Sequence, residues 1–128
     1  MEFIIIVSIL MVTFLVVFVN IDKRNSELDS NKRLLSAKSV ANKLATSINQ
    51  IFLSSYGSMK TIYLPDKLAD NTDYNLTVYP EARVVEITWQ SVDRRQYTSL
   101  IITSDVNAVN LTAGQANLTN NNGVVSIV

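Results

Sequence analysis

The pattern of apolar and polar positions changes twice along this chain. From Phe3 to Val19, seventeen consecutive residues carry no charge, and only Ser8 and Thr13 interrupt the apolar run. At about 1.5 Å of rise per residue the run makes about 26 Å of helix, close to the ~30 Å hydrocarbon core of a bilayer. A secretory leader has a shorter apolar stretch of ~7–15 residues, set between a basic segment and a small-residue cleavage site. Here Met1-Glu2 precede the run and Asn20-Ile21-Asp22-Lys23-Arg24 follow it. A helix buried inside a soluble body is disfavoured, because a remainder of about a hundred residues could hardly wrap it on every side.

Between Asn20 and Arg33 only Ile21 and Leu28 are apolar, which predicts a helix that is solvated or paired with others. Leu34, Ala37, Ala41, Leu44, Ile48 and Ile51 then recur at helical spacing. Leu35, Val40, Ala45 and Phe52 widen this stripe, and Ser36, Ser39, Lys43, Thr46 and Gln50 lie opposite it. The first glycine is Gly57 and the first proline Pro65, with Ser54-Ser55-Tyr56-Gly57 as the stop signal. The economical expectation is one helix from Glu2 to about Ser55, roughly 80 Å long. Such a helix needs partners along its whole length, since isolated helices are marginal in water.

Beyond Gly57 the period falls to two. Strands are expected at Thr61–Leu64, Tyr74–Tyr79, Arg83–Trp89, Tyr97–Thr103, Val106–Leu111, Gln115–Thr119 and Gly123–Val128. Turn signals separate them at Pro65-Asp66, Asp70-Asn71, Pro80-Glu81, Asp93-Arg94, Ser104-Asp105, Ala113-Gly114 and Asn120-Asn121-Asn122-Gly123. The fold class is therefore α+β: a long N-terminal helix over 1–55 and a small antiparallel β head, a meander or sandwich, over 56–128. A head of about seventy residues has a small core, so Leu34, Ala41, Leu44, Ile48 and Phe52 are expected to pack against it. In that head Tyr74, Leu76 and Val78 share one face, and so do Val85, Ile87 and Trp89.

Composition narrows the chemistry. The chain has no Cys and no His, which removes thiolate and imidazole catalysis, disulfides and zinc ligation, so no enzyme and no cofactor is expected. Eleven basic residues balance eleven acidic ones, which argues against a nucleic-acid partner. Charge is divided along the chain, with 7 basic and 4 acidic groups in residues 1–60 and the reverse beyond. Opposite signs of this kind favour lateral contact between neighbouring copies. Asp66, Asp70 and Asp73 lack the central Gly and closing Glu of a calcium loop and read as a polar loop. Arg94-Arg95 reads as a solvated turn, and Tyr56, Tyr63, Tyr74, Tyr79 and Tyr97 as sheet-packing residues. Thirteen asparagines suit an exposed, uncharged surface. Asn75, Asn110 and Asn117 each open an Asn-Leu-Thr sequon, in which a strand sends Leu inward and leaves Asn and Thr outward. All three are candidates for N-linked glycans if the head lies outside the cell.

An apolar N-terminal helix that opens Glu2-Phe3-Ile4-Ile5-Ile6 and continues unbroken into an amphipathic half and a small all-β head resembles the type IV pilin superfamily. It is most similar to the archaeal pilins and archaellins that carry class III signal peptides. Tyr56-Gly57-Ser58-Met59-Lys60-Thr61-Ile62-Tyr63-Leu64-Pro65, followed by Asp73-Tyr74-Asn75-Leu76-Thr77-Val78, is similar to the helix-to-sheet junction of euryarchaeal members. The resemblance implies a homopolymeric extracellular filament, processed by a prepilin peptidase and drawn out of the membrane by an assembly ATPase and its platform. It implies a filament-core helix made of Phe3, Ile4, Ile5, Ile6, Val7, Ile9, Leu10, Val12, Phe14, Leu15, Val16, Val17 and Phe18. The family's glutamate near the mature terminus corresponds to Glu2, which would pair with the α-amino group of a neighbouring subunit. The basic leader with its glycine does not precede Glu2 here, so a processed form, or one trimmed a few residues further, is expected.

Two expectations of different class follow. One is a structural filament subunit serving adhesion, or motility as in an archaellum. The other is a single-pass surface protein whose β head binds a ligand. A simple anchor needs only ~20 residues, so the long amphipathic extension favours the filament. Lys23 and Arg24 by themselves would place their end of the apolar run in the cytoplasm, and a removed basic leader together with the sequons argues for an external head.

Overall fold

A computed structural model describes residues 1–89 and 95–128. The turn expected at Asp93-Arg94, and with it the Arg94 half of the arginine pair, lies outside the described residues. Helix α1 (Glu2–Phe52) is followed by β1 (Met59–Leu64), a 3-10 turn (Ala69–Asn71), β2 (Tyr74–Tyr79), β3 (Val84–Trp89), β4 (Arg95–Leu100), β5 (Val109–Leu111), β6 (Gly114–Asn121) and β7 (Val124–Ile127). The chain divides into two units, Met1–Lys32 and Arg33–Val128, and the second contains the amphipathic part of α1 as well as the described strands.

The fold is α+β, with the helix packed on antiparallel sheets. The β part forms two sheets, ordered β1-β6-β7 and β4-β3-β2-β5. Among the described strands, β2, β3 and β4 follow one another as a meander. Each sheet has one apolar face, because alternate side chains of a strand point to opposite sides. Ile62, Leu64, Ala116, Leu118, Val125 and Ile127 are buried from the first sheet, and Tyr74, Leu76, Val78, Val85, Ile87 and Trp89 from the second. Both faces join one hydrophobic cluster with Ala37, Val40, Ala41, Leu44, Ala45, Ile48 and Ile51 of α1, against which Leu34 and Phe52 are half-buried. Leu35 does not widen this stripe: it is 66% exposed, one residue round the helix from Leu34. Ser47, one residue before Ile48, is buried instead.

Most strand bounds differ by a few residues from the sequence expectation, and two of the differences have a tertiary reason. β4 stops at Leu100, opposite Val84 at the start of β3, with one more backbone bond beyond it, from Ile101 N–H to Arg83 O at 2.9 Å. Ile101 and Thr103 are still buried, and Ile102 N–H donates to Asn49 Oδ1 of the helix at 2.9 Å. The expected strand Val106–Leu111 is divided between the two sheets. Val106 makes an isolated parallel bridge to Val125, and Val109–Leu111 pairs with β2. Asn107 completes the first part, its carboxamide donating to Ile127 O at 3.0 Å and accepting from Ile127 N–H at 2.8 Å. A side chain thus substitutes for a strand along the outer edge of β7, which would otherwise leave unpaired backbone groups.

Helix α1 ends at Phe52 rather than Ser55, because its last carbonyls are captured from a distant strand. Asn120 of β6 is fully buried and donates through Nδ2 to Ile51 O and Ser54 O, both at 3.0 Å. Its Oδ1 accepts from Gly123 N–H at 2.9 Å, and its backbone exchanges bonds with Gly57 and Ser58. Helix ends leave carbonyls without intrahelical partners, and here a side chain 69 residues away supplies the donors. The same residue fixes the β6–β7 hairpin, whose two-residue loop Asn122-Gly123 takes φ of 54° and 93°. Positive φ at both positions is what a type I′ turn requires, and Asn-Gly is its preferred pair.

Two outcomes test this packing on the full chain in detergent micelles, with the single tryptophan Trp89, buried in the core, as the fluorescent reporter. Asn120→Asp keeps the shape and removes both amide donors, so the unfolding free energy should fall by about 3 kcal/mol. Leu44→Asp places an uncompensated charge in the core and should cost several kcal/mol, out of the 5–15 kcal/mol typical of a domain. A urea midpoint unchanged from wild type in either variant would contradict the assigned role.

Candidate functional site

The first unit carries the most distinctive surface. Every residue from Met1 to Leu28 is exposed, including the large apolar side chains Phe3, Ile4, Ile5, Ile6, Val7, Ile9, Leu10, Val12, Phe14, Leu15, Val16, Val17 and Phe18. A helix that is apolar round its whole circumference belongs in a membrane or among other apolar helices. By length and composition α1 can cross a membrane. Its few polar groups are folded back onto the backbone. Ser8 Oγ and Thr13 Oγ1 donate to the carbonyls of Ile4 and Ile9 at 2.8 Å, and Asn20 Nδ2 donates to Val16 O at 2.9 Å. Such i−4 bonds are the local way for a hydroxyl to find a partner where water is absent. The Phe14 and Phe18 rings stack one turn apart, 6.2 Å between centroids. Glu2 lies in the first turn of the helix, where a negative charge complements the helix dipole.

The residues expected to join helix and head lie in the second unit. Ala41, Leu44 and Ile48 are buried in the shared core, with Leu34 and Phe52 at its margin. Polar contacts flank them: Lys43 Nζ donates to Tyr63 O and Ser99 Oγ to Asn42 Oδ1, each at 2.8 Å. Lys60 also donates to Gln50 across the groove between α1 and β1.

The three sequons occupy unequal positions. Asn75 on β2 and Asn110 on β5 are exposed, whereas Asn117 on β6 is half-buried. Asn117 Oδ1 accepts from Thr61 Oγ1 at 2.8 Å and from Gln115 Nε2 at 3.3 Å. Leu76 and Leu118 are buried and Leu111 is half-buried. Asn75 sits in an open cleft of about 980 Å³, lined by Asp66, Asp73, Glu86, Thr88, Gln96 and Thr112 among others.

The aspartate loop is held by ion pairs. Arg33 binds Asp70 at 3.0 Å and Lys67 approaches Asp73 at 3.4 Å. Among the described residues no three Asp or Glu side chains gather as a metal site. The tyrosines divide: Tyr74 is buried, Tyr97 is half-buried beneath the Lys38 ammonium, and Tyr56, Tyr63 and Tyr79 are exposed rather than packed. Most asparagines lie on the surface, as expected, and Asn42, Asn49, Asn107 and Asn120 also tie helix, loops and strands together. The Asn-Asn-Asn-Gly turn signal was the only sequence trace of the helix cap.

Tyr74 donates its hydroxyl to Pro65 O. Burial, and after it the nearby Asp66 carboxylate, pushes its phenol up from 10.0 to about 12. The folded state therefore holds this proton more tightly than the unfolded chain, and the associated stability is complete below pH 10. As pH rises from 10 to 12 up to about 3 kcal/mol should be lost, at 1.36 kcal/mol per unit of difference. Urea midpoints followed by Trp89 emission should fall over that interval, and Tyr74→Phe should flatten the decline while costing about 1 kcal/mol at pH 8. Comparison of the chain with protein-family models, with curated proteins and with solved structures gives no match.

Proposed function

We propose that this protein is the structural subunit of an extracellular filament of the archaeal type IV pilus kind, which serves adhesion to surfaces. The observation that supports the reading is the division of labour within α1. Its first third is apolar all round and exposed, while its last third is used by the protein's own β core. In a filament the Phe3–Val19 segment exchanges lipid for copies of itself, and repetition without ring closure extends the polymer. Relative to water, that burial is worth on the order of tens of kcal/mol at ~25 cal/mol per Å², and less relative to lipid. The head lies outside the cell and bears N-linked glycans. A prepilin peptidase, an assembly ATPase and a membrane platform are the partners that this route of assembly requires. Subunits reside in the cytoplasmic membrane before they are extracted.

Glu2 is the carboxylate at the edge of the apolar run. No Lys or Arg lies between Glu2 and Lys23, and within a dry helical bundle the cation that Glu2 pairs with in this reading is the α-amino group of a neighbouring processed subunit.

Material sheared from the surface of cells that produce the protein should contain thin filaments of this subunit by negative-stain microscopy. Recovery of the protein only in the membrane fraction would instead support a single-pass surface protein. Glu2→Gln keeps the side-chain shape and removes the charge. It should lower filament yield severalfold while leaving membrane insertion intact, and a yield equal to wild type would reject the pairing.

A further inference from the structure

The three sequons share one sequence, Asn-Leu-Thr, and differ only in where the sheets place them. Glycosylation of a folded protein requires the acceptor tripeptide to leave its sheet, because the transferring enzyme must reach the carboxamide, the Thr hydroxyl and the backbone between them. The free energy of that local opening sets which site reacts.

β6 is the central strand of its sheet, registered with β1 over Met59–Leu64 and with β7 over Val124–Ile127. Lifting Asn117–Thr119 would expose Leu118, which is fully buried, and would disturb Asn120 at the helix cap. The Asn117 carboxamide is also engaged by Thr61 and Gln115. β2 is likewise central, between β3 and β5, and Leu76 is fully buried. Its Asn75 is exposed and lines the polar cleft together with Thr88, Gln96 and Thr112.

β5 differs in its place in the sheet and in the burial of its apolar residues. It is an edge strand of three residues, paired among the described strands with β2 alone. Val109 and Leu111 are half-buried, and Asn110 and Thr112 are both exposed. Val106 and Asn107 before it are fastened to β7 and Gly114, with φ of 103°, opens β6 after it, so the segment that can leave the sheet is 108–113, with loss of the partial packing of Val109 and Leu111 but of no fully buried side chain. Edge strands are where a sheet gives up its pairing most cheaply.

We propose that Asn110 is the site at which the folded head is N-glycosylated, and that Asn75 and Asn117 are not modified. In the transfer, Asn110 Nδ2 attacks C1 of a sugar carried as a lipid-linked phosphate ester. The C1–O bond breaks, the phosphate leaves with its electron pair, and one amide proton passes to a base. Asn110 stands directly opposite Thr77 in the β2–β5 ladder, so the first sugar covers the outer face of β2 and shields the Asn75 sequon behind it. The assignment rests on the external head of the filament reading and on nothing else in it.

The test is peptide mass spectrometry of the full chain isolated from a glycosylating native host, for wild type and for Asn75→Gln, Asn110→Gln and Asn117→Gln. Glycan mass should be present at Asn110 in all forms except Asn110→Gln, with occupancy of the other two sites at least tenfold lower. A glycan at Asn75 or Asn117, or a wild-type chain bare at all three sites, would overturn the proposal. Hydrogen exchange of the full chain in micelles supplies a second measurement that needs no glycan. Amides of Val109–Leu111 should exchange at least tenfold faster than those of Tyr74–Val78 and Ala116–Asn120, and equal protection would overturn the edge-strand argument. Filaments counted in the same cultures separate the two readings. Filaments with bare Asn110 reject this site alone, and a glycan on Asn110 without filaments rejects the polymer alone.

Discussion

The body of this protein depends on a single shared core. Two sheets of three and four strands each present one apolar face, and neither is large enough to enclose that face alone. The stripe of Ala37, Ala41, Leu44, Ile48 and Ile51 supplies the common element for both. Small side chains at 37 and 41 and larger ones at 44 and 48 fit a core that must accept strands of two sheets, since interiors are close-packed. The amphipathic part of α1 is thus a structural member of the β body, and its sequence is constrained as a core is constrained.

Asparagine is the second recurring device. Buried or interfacial backbone groups need partners, and a carboxamide offers a donor and an acceptor with no charge to desolvate. Asn120 uses both at once, to cap the helix and to fix a hairpin, and Asn107 uses both to imitate a strand along β7. Asn42 and Asn49 accept from the strand and loop that pass over the helix. These contacts explain how a chain without disulfides holds a helix terminus, two sheets and irregular connections in one arrangement.

The apolar segment follows the opposite logic. Within Phe3–Val19 the polar groups turn back on the helix, and what remains outward is hydrocarbon. Such a surface has a function only in contact with lipid or with other helices, which is why the proposed assembly is built on it.

The apolar run, the stripe beginning at Leu34 and the strand Tyr74–Tyr79 were all legible in sequence, because local periodicity determines them. Periodicity also set which residues of β2 and β3 face inward. The end of β4 at Leu100, the division of Val106–Leu111 between two sheets, and the end of α1 at Phe52 were decided by tertiary structure. Each depends on a partner far away in the chain: the strand that ends opposite, the edge that needs covering, or the carboxamide that reaches a carbonyl. The three sequons show the same limit. Their sequences are identical, and only the sheet order distinguishes a central strand from an edge.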